Sequence, residues 1–145
     1  MDDIRIILFG TEEYLKTLRL REEILRAPLG LKLTPQELEK DIHDLHLGAF
    51  RSDRLLACLI LSRLEPARMK MRQVAVAVAS QGKGIGRLLV AECERVSWER
   101  GANEIELSAR ESATAFYQKL GYSVEGGVFS TLGLPHVRMV KKLGT

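Results

Sequence analysis

Residues 72–79 alternate Val74, Val76 and Val78 with Ala75, Ala77 and Ala79, and three residues later the chain enters Gly82-Lys83-Gly84-Ile85-Gly86. The alternation predicts a strand over 72–79, with one branched face that packs and one small face that lets something lie close to its backbone. Past the glycines, Ile85, Leu88, Leu89, Cys93 and Val96 recur at helical spacing and predict a helix to about Arg100. A strand that feeds a helix through closely spaced glycines restricts this chain more than any other feature. The glycines let successive N–H groups turn inward, and the helix N-terminus adds about half a positive charge, so the loop can cradle a phosphate. Lys83 and Arg87 place cations beside it. The alternative is a tight connection whose glycines serve packing alone.

Two common phosphate loops do not match. A Walker loop needs glycine at position 77, which is Ala, and Ser or Thr after Lys83, where Gly84 stands. The dinucleotide fingerprint needs a third glycine at position 87, which is Arg.

Around this loop the chain reads as mixed α/β. A strand is predicted over Ile4 to Phe9, then a helix from the N-cap Thr11 to about Arg26 with Tyr14, Leu18 and Leu25 on one stripe. Thr34 and Glu37 form a capping box with Pro35 at the first helical position, which starts a second helix running to about His43. His46 to Arg51 and Leu55 to Arg63 flank a Ser52-Asp53 turn as a hairpin. After the helix that ends at Gly101 come a strand over Asn103 to Ala109 and a short helix from Ser112 to Leu120 stopped by Gly121. In that helix Ala113, Phe116 and Leu120 are the expected buried stripe, with Tyr117 on the flank. Two more strands fill Tyr122 to Leu143, punctuated by Gly126, Gly127, Gly133 and Pro135.

Composition bounds the rest. At 145 residues with 46% hydrophobic and 28% charged side chains, the chain has the length of one domain, 1–145, and enough apolar residues for a core. The longest apolar run, Leu55 to Leu61, is far below the roughly 20 residues of a membrane helix, and from the acidic opening Met1-Asp2-Asp3 no secretory leader is expected. A soluble, cytoplasmic chain without a membrane is expected. The net charge of +3 is spread out, so no nucleic-acid footprint is predicted. Cys58 and Cys93 lie in apolar surroundings without metal-ligand spacing, and are expected as buried thiols, with no metal site.

Gln81-Gly82-Lys83-Gly84-Ile85-Gly86 resembles the Gln/Arg-x-x-Gly-x-Gly/Ala loop of the GCN5-related N-acetyltransferases (GNAT family). Ala115-Phe116-Tyr117-Gln118-Lys119-Leu120-Gly121-Tyr122 is similar to that family's Phe-Tyr-x-x-x-Gly-Phe/Tyr helix, and Gly133-Leu134-Pro135-His136 with Met139 resembles its C-terminal strand. The resemblance covers about residues 70–143. It implies an acyl-CoA N-acyltransferase fold, a central and mostly antiparallel sheet flanked by helices. It also implies acetyl-CoA as cosubstrate and acetyl transfer to a primary amine by direct attack in a ternary complex.

On the same resemblance, the backbones of Val76 and Val78 meet the pantetheine arm, and Gln81, Gly82, Lys83, Gly84, Ile85, Gly86 and Arg87 hold the pyrophosphate. Arg110 stands where many members have Asn; a long cation there could instead reach a phosphate. Tyr117 matches the residue that protonates the departing thiolate. The chemistry suits it, since a phenol with an ordinary pKa of about 10 keeps its proton at pH 7. Packing against Tyr122 across the helix end is the other reading of Tyr117. His136, Glu125 and His46 are candidate bases, none preferred over a water relay. A small-molecule or peptide amine is the expected acceptor, walled in part by Ala27 to Thr34. Members commonly dimerise, so a homodimer is possible. A non-catalytic acyl-CoA binding or sensing module is the competing class.

Overall fold

The computed structural model describes residues 2–144 and carries seven strands. They are β1 (Asp2–Ile7), β2 (Leu45–Arg51), β3 (Arg54–Glu65), β4 (Arg68–Val76), β5 (Glu104–Arg110), β6 (Ser123–Thr131) and β7 (Leu134–Lys142). They hydrogen-bond in the order β1-β2-β3-β4-β5-β7-β6. The β1–β2, β2–β3, β5–β7 and β6–β7 pairings are antiparallel, and β4–β5 is parallel. The mixed, mostly antiparallel sheet flanked by helices is the predicted fold class. The residues group into two compact units, one running to Ser62 and taking in Met71–Cys93, the other made of Arg63–Lys70 and the chain from Glu94 onward.

In the first unit, α1 (Glu12–Arg21) begins where Thr11 Oγ1 accepts the Tyr14 N–H at 3.2 Å. It continues to Arg26 as a wider π turn, and the Ala27 N–H reaches back to the Glu22 carbonyl. Of the expected stripe Tyr14 is buried and Leu18 and Leu25 pack, partly buried, against core clusters, while Thr17, Leu20 and Arg21 are buried beside them. An arginine takes an inward position because a carboxylate waits there. The capping box forms as read, opening α2 (Pro35–Glu39), which tightens into a 3-10 turn over Lys40–His43.

The predicted strand over 72–79 is corrected. β4 starts four residues earlier and ends at Val76, and Val78–Ser80 is a 3-10 turn. Its small face does lie close to something, but that something is this chain's own helical segment: Ala75 packs with Leu20 and Cys58, flanked by Ile24 and Leu25. Val78 is 69% exposed, so the branched face does not pack throughout.

α3 (Ile85–Glu99) buries Ile85, Leu89, Cys93 and Val96 as expected, whereas Leu88 is exposed. Val90 and Ser97 are buried as well, which moves the centre of the stripe away from Leu88. Among the described residues no helix is long and apolar enough to cross a membrane.

In the second unit, Arg68–Lys70 of β4 pairs with Glu104–Glu106 of β5. After β5 a 3-10 turn, Glu111–Ala113, leads into α4 (Thr114–Lys119). β6 and β7 turn through Leu132 and Gly133, both at positive φ, with a bulge between Glu125 and Phe129.

Candidate functional site

The glycine loop is set by the end of β4. The Ala77 N–H bonds to the Leu56 carbonyl at 2.9 Å and the Ser80 N–H to that of Ala77 at 2.8 Å, which fixes the turn that follows the strand. The Gln81 side chain folds back and donates from Nε2 to the Val76 carbonyl at 2.9 Å, while its own N–H donates to the Val78 carbonyl at 3.3 Å. Both predicted backbone partners, Val76 and Val78, therefore already have a carbonyl engaged by Gln81. Gly82 and Gly84 follow at φ +75° and +84°. At Gly82 a Cβ would meet nothing within 4 Å, and at Gly84 it would lie 3.6 Å from Arg87 Nη2. Backbone conformation, not space, asks for glycine at both positions.

Ile85 and Gly86 are buried in the first turn of α3, with Ile85 anchoring the helix start. Gln81, Gly82, Lys83 and Arg87 are exposed. Among the described residues neither Lys83 nor Arg87 has an ion pair or hydrogen bond. The arrangement has the makings of a cradle for an anion: two left-handed glycines, the N-terminus of a fifteen-residue helix, and two uncommitted cations.

The second unit holds the other predicted residues. Arg110 ends β5 opposite His136 of β7. Tyr117 is 8% exposed and Phe116 39%, which reverses the expected order on α4. A helix of six residues presents one inward position, and the tyrosine fills it. Its ring meets Phe116 edge-on at 5.0 Å and Tyr122 at 5.9 Å. The Tyr122 N–H bonds to the Tyr117 carbonyl across the helix end, where Gly121 takes φ +97°.

The candidate bases are all engaged. His46 is buried and bonds through Nε2 to the Asp41 carbonyl at 2.9 Å; burial holds its pKa below the ordinary value. His136 bonds through Nδ1 to the Leu134 carbonyl at 3.0 Å, and Glu125 pairs with Arg138 at 2.6 Å.

Two groupings in the first unit were not predicted. Asp41, fully buried, accepts from Arg21 at 2.7 Å and from the Tyr14 hydroxyl at 2.6 Å, while Arg21 Nε reaches Gln73 Oε1 at 3.0 Å. No periodicity distinguishes an inward arginine from an outward one. The second is a cavity of about 190 Å³ bordered by Arg51, Arg54, Ser80 and Lys83. Its sequence signal was the arginine on either side of the Ser52-Asp53 turn.

Comparison with known proteins agrees with the fold. The profile described as acetyltransferase (GNAT) domain matches residues 20–143. This chain belongs to the GNAT family. It is 31% identical over 74 residues to YyaT, an uncharacterised protein of Bacillus subtilis, a match covering 51% of this chain and 50% of that one. The chain spans about half the length of such curated relatives. The GNAT fold extends through the whole chain in solved structures. An acyl-CoA N-acyltransferase of Pseudomonas aeruginosa superposes with a TM-score of 0.81 at 24% identity, covering 97% of this chain and 99% of that one. The PaiA N-acetyltransferase of Thermoplasma acidophilum, solved in complex with coenzyme A, superposes at 0.77 with 20% identity, covering 99% of each chain.

Proposed function

We propose that this chain is an acetyl-CoA-dependent N-acetyltransferase acting on a primary amine of a small molecule or peptide. The observation that carries the reading is the cradle at Gly82–Arg87, which fits a diphosphate: paired left-handed glycines, a helix N-terminus and two unpaired cations. The coenzyme A complex of a GNAT structure that superposes along the whole chain supports it.

Acetyl-coenzyme A brings a thioester carbon open to attack by an amine; a C–N bond forms and the C–S bond breaks. Gly82, Lys83, Gly84 and Arg87 hold the diphosphate, with Ile85 and Gly86 fixing the helix start. Val76 and Val78 meet the pantetheine arm through their backbones, where Gln81 already takes one carbonyl lone pair of each. Tyr117 gives its Oη proton to the departing thiolate, and the proton that the amine loses passes to water. Positioning of amine against thioester carries most of the rate, and the acid contributes about 10²-fold or more.

The burial of Tyr117 favours a second reading, an acyl-CoA binding or sensing module in which the ring is packing alone. Thermal unfolding with acetyl-CoA, and with ATP and NAD as controls, tests the cofactor site. At 100 times its Kd the cofactor stabilises by about 2.7 kcal/mol. No shift with acetyl-CoA overturns both readings. Amine-dependent thiol release then tests catalysis, and the buried thiols of Cys58 and Cys93 give little background to a thiol reagent. Tyr117→Phe keeps the ring, so the expected result is kcat lowered about 10²-fold with acetyl-CoA affinity unchanged. Unchanged kcat removes Tyr117 as the acid, and no turnover across a broad amine panel favours the binding module.

A further inference from the structure

The Ser52-Asp53 turn joins β2 to β3 with Arg51 and Arg54 in register opposite each other. Both border the cavity of about 190 Å³ that also takes in Ser80 and Lys83 beside the start of α3. Asp2 borders it as well and is committed to Arg51, whose Nε and Nη2 donate to its two oxygens at 2.7 and 3.1 Å. That pair cancels. Arg54 and Lys83 remain, and among the described residues neither has an ion pair or hydrogen bond. Two cations facing one cavity repel each other, and an anion between them turns that repulsion into attraction. Ser80, 7% exposed, adds a hydroxyl that can donate.

Lys83 belongs both to the glycine loop and to this cavity, so the two anion-binding features adjoin. Coenzyme A carries three phosphates. Two are the diphosphate assigned above to Gly82–Arg87, and the third is a monoester on the ribose 3′-hydroxyl, with about −1.5 to −2 charge at pH 7. The cavity has room for about six water volumes, which suits a phosphate with its waters and not an adenosine.

We propose that this cavity binds the 3′-phosphate of coenzyme A, with Arg54 as its principal cation and Lys83 and Ser80 as further donors. The inference rests on the acetyl-CoA reading above and adds to it the selection of coenzyme A over its dephosphorylated form.

Calorimetric titration of the full chain with coenzyme A and with 3′-dephospho-coenzyme A tests it, because the second ligand keeps the diphosphate and lacks only the monoester. The unaltered chain is expected to prefer coenzyme A by about tenfold, the scale of one charge-assisted hydrogen bond. Arg54→Gln is expected to weaken coenzyme A about five- to tenfold and dephospho-coenzyme A less than about twofold, with Arg54→Glu going further in the same direction. Arg54 is exposed on a hairpin, so ligand-free melting temperatures are expected to match and to exclude a folding defect. An equal loss for both ligands, or a preference that survives Arg54→Glu, overturns the assignment. Failure of the unaltered chain to bind either ligand refutes the cofactor reading itself. Binding of both with equal affinity refutes the 3′-phosphate site alone.

Discussion

Arg21 and Asp41 are the residues on which the first unit depends most sharply. Both side chains are fully buried and meet at 2.7 Å, and the Tyr14 hydroxyl and Arg72 also reach the carboxylate. Burial opposes ionisation of Asp41, but hydrogen bonds from Arg21 and Tyr14 outweigh it and hold its carboxyl below the usual carboxylate range. Removing one partner of such a pair strands a buried charge, which costs about 3–5 kcal/mol. Asp41→Asn is therefore expected to destabilise the chain on that scale in urea unfolding. Glu99→Gln breaks the exposed Arg95–Glu99 pair and is expected to change stability by less than about 0.5 kcal/mol. Comparable losses in the two variants would show that the buried pair is no more than a surface contact. The same network reaches Gln73, a non-glycine residue at φ +55° in β4, through Arg21 Nε. A left-handed residue in a strand needs outside support, and here the support comes from a helix through a buried guanidinium.

At the scale of elements, glycine serves two separate purposes in this chain. Gly82 and Gly84 are left-handed with room around them, whereas Gly48 in β2 has no left-handed φ and is crowded. A Cβ there would stand 2.6 Å from Ile7 Cδ1, 2.9 Å from the Phe50 ring and 3.0 Å from Leu55 Cδ1. Ile7 and Phe50 pack with Tyr14 in one core cluster, so the ring has little freedom to move aside. Gly48→Ala is expected to cost about 1–3 kcal/mol of unfolding free energy, the range of overpacked cores, measured by chemical denaturation. A neutral result would mean that Ile7 rotates away at little cost.

The contrast between these glycines marks what the sequence could convey. The left-handed glycines were legible as a loop because their spacing lies between a strand pattern and a helix pattern. Gly48 was not, because its neighbours come from β1 and the far side of a hairpin. α4 failed for a related reason. With six residues it has too few positions for periodicity to select a face, and the choice of Tyr117 over Phe116 was made by the partners that surround it. Of the predicted alanine face, Ala75 is buried in β4 and Ala77 packs beside it, whereas Ala79 is exposed beyond the end of the strand. Which partner approaches is tertiary information, and Leu20 of α1 supplies it.

The whole molecule's response to pH follows from the groups that gather around Asp41. Burial holds the pKa of His46 in the folded chain below the ordinary value near 6.5. Its unfolded form binds the proton first, so its contribution is full above about 6.5 and is lost as pH falls through the folded value. Asp41 has the same sign at lower pH: a carboxyl held below 3.8 stabilises above that value and ceases to do so as pH falls through its folded pKa. Tyr14 closes the other side. Burial and its bond to Asp41 push the phenol up to about 12, so the folded chain holds a proton that the unfolded chain releases near 10. That contribution is complete below about 10 and disappears as pH rises through about 12. The stability curve is therefore expected to be flat from about 6.5 to 9, above which the Cys58 thiol, pushed up to about 12 by burial, loses its contribution together with Tyr14, with an acid shoulder that belongs to His46 and a steeper fall below it. His46→Gln keeps an N–H for the Asp41 carbonyl and removes the titration. Urea unfolding between about pH 5.5 and 8 should show the shoulder in the parent chain and a level line in the variant. A shoulder of equal size in both would assign the mild-acid loss to carboxylates elsewhere and leave His46 as packing around a carbonyl.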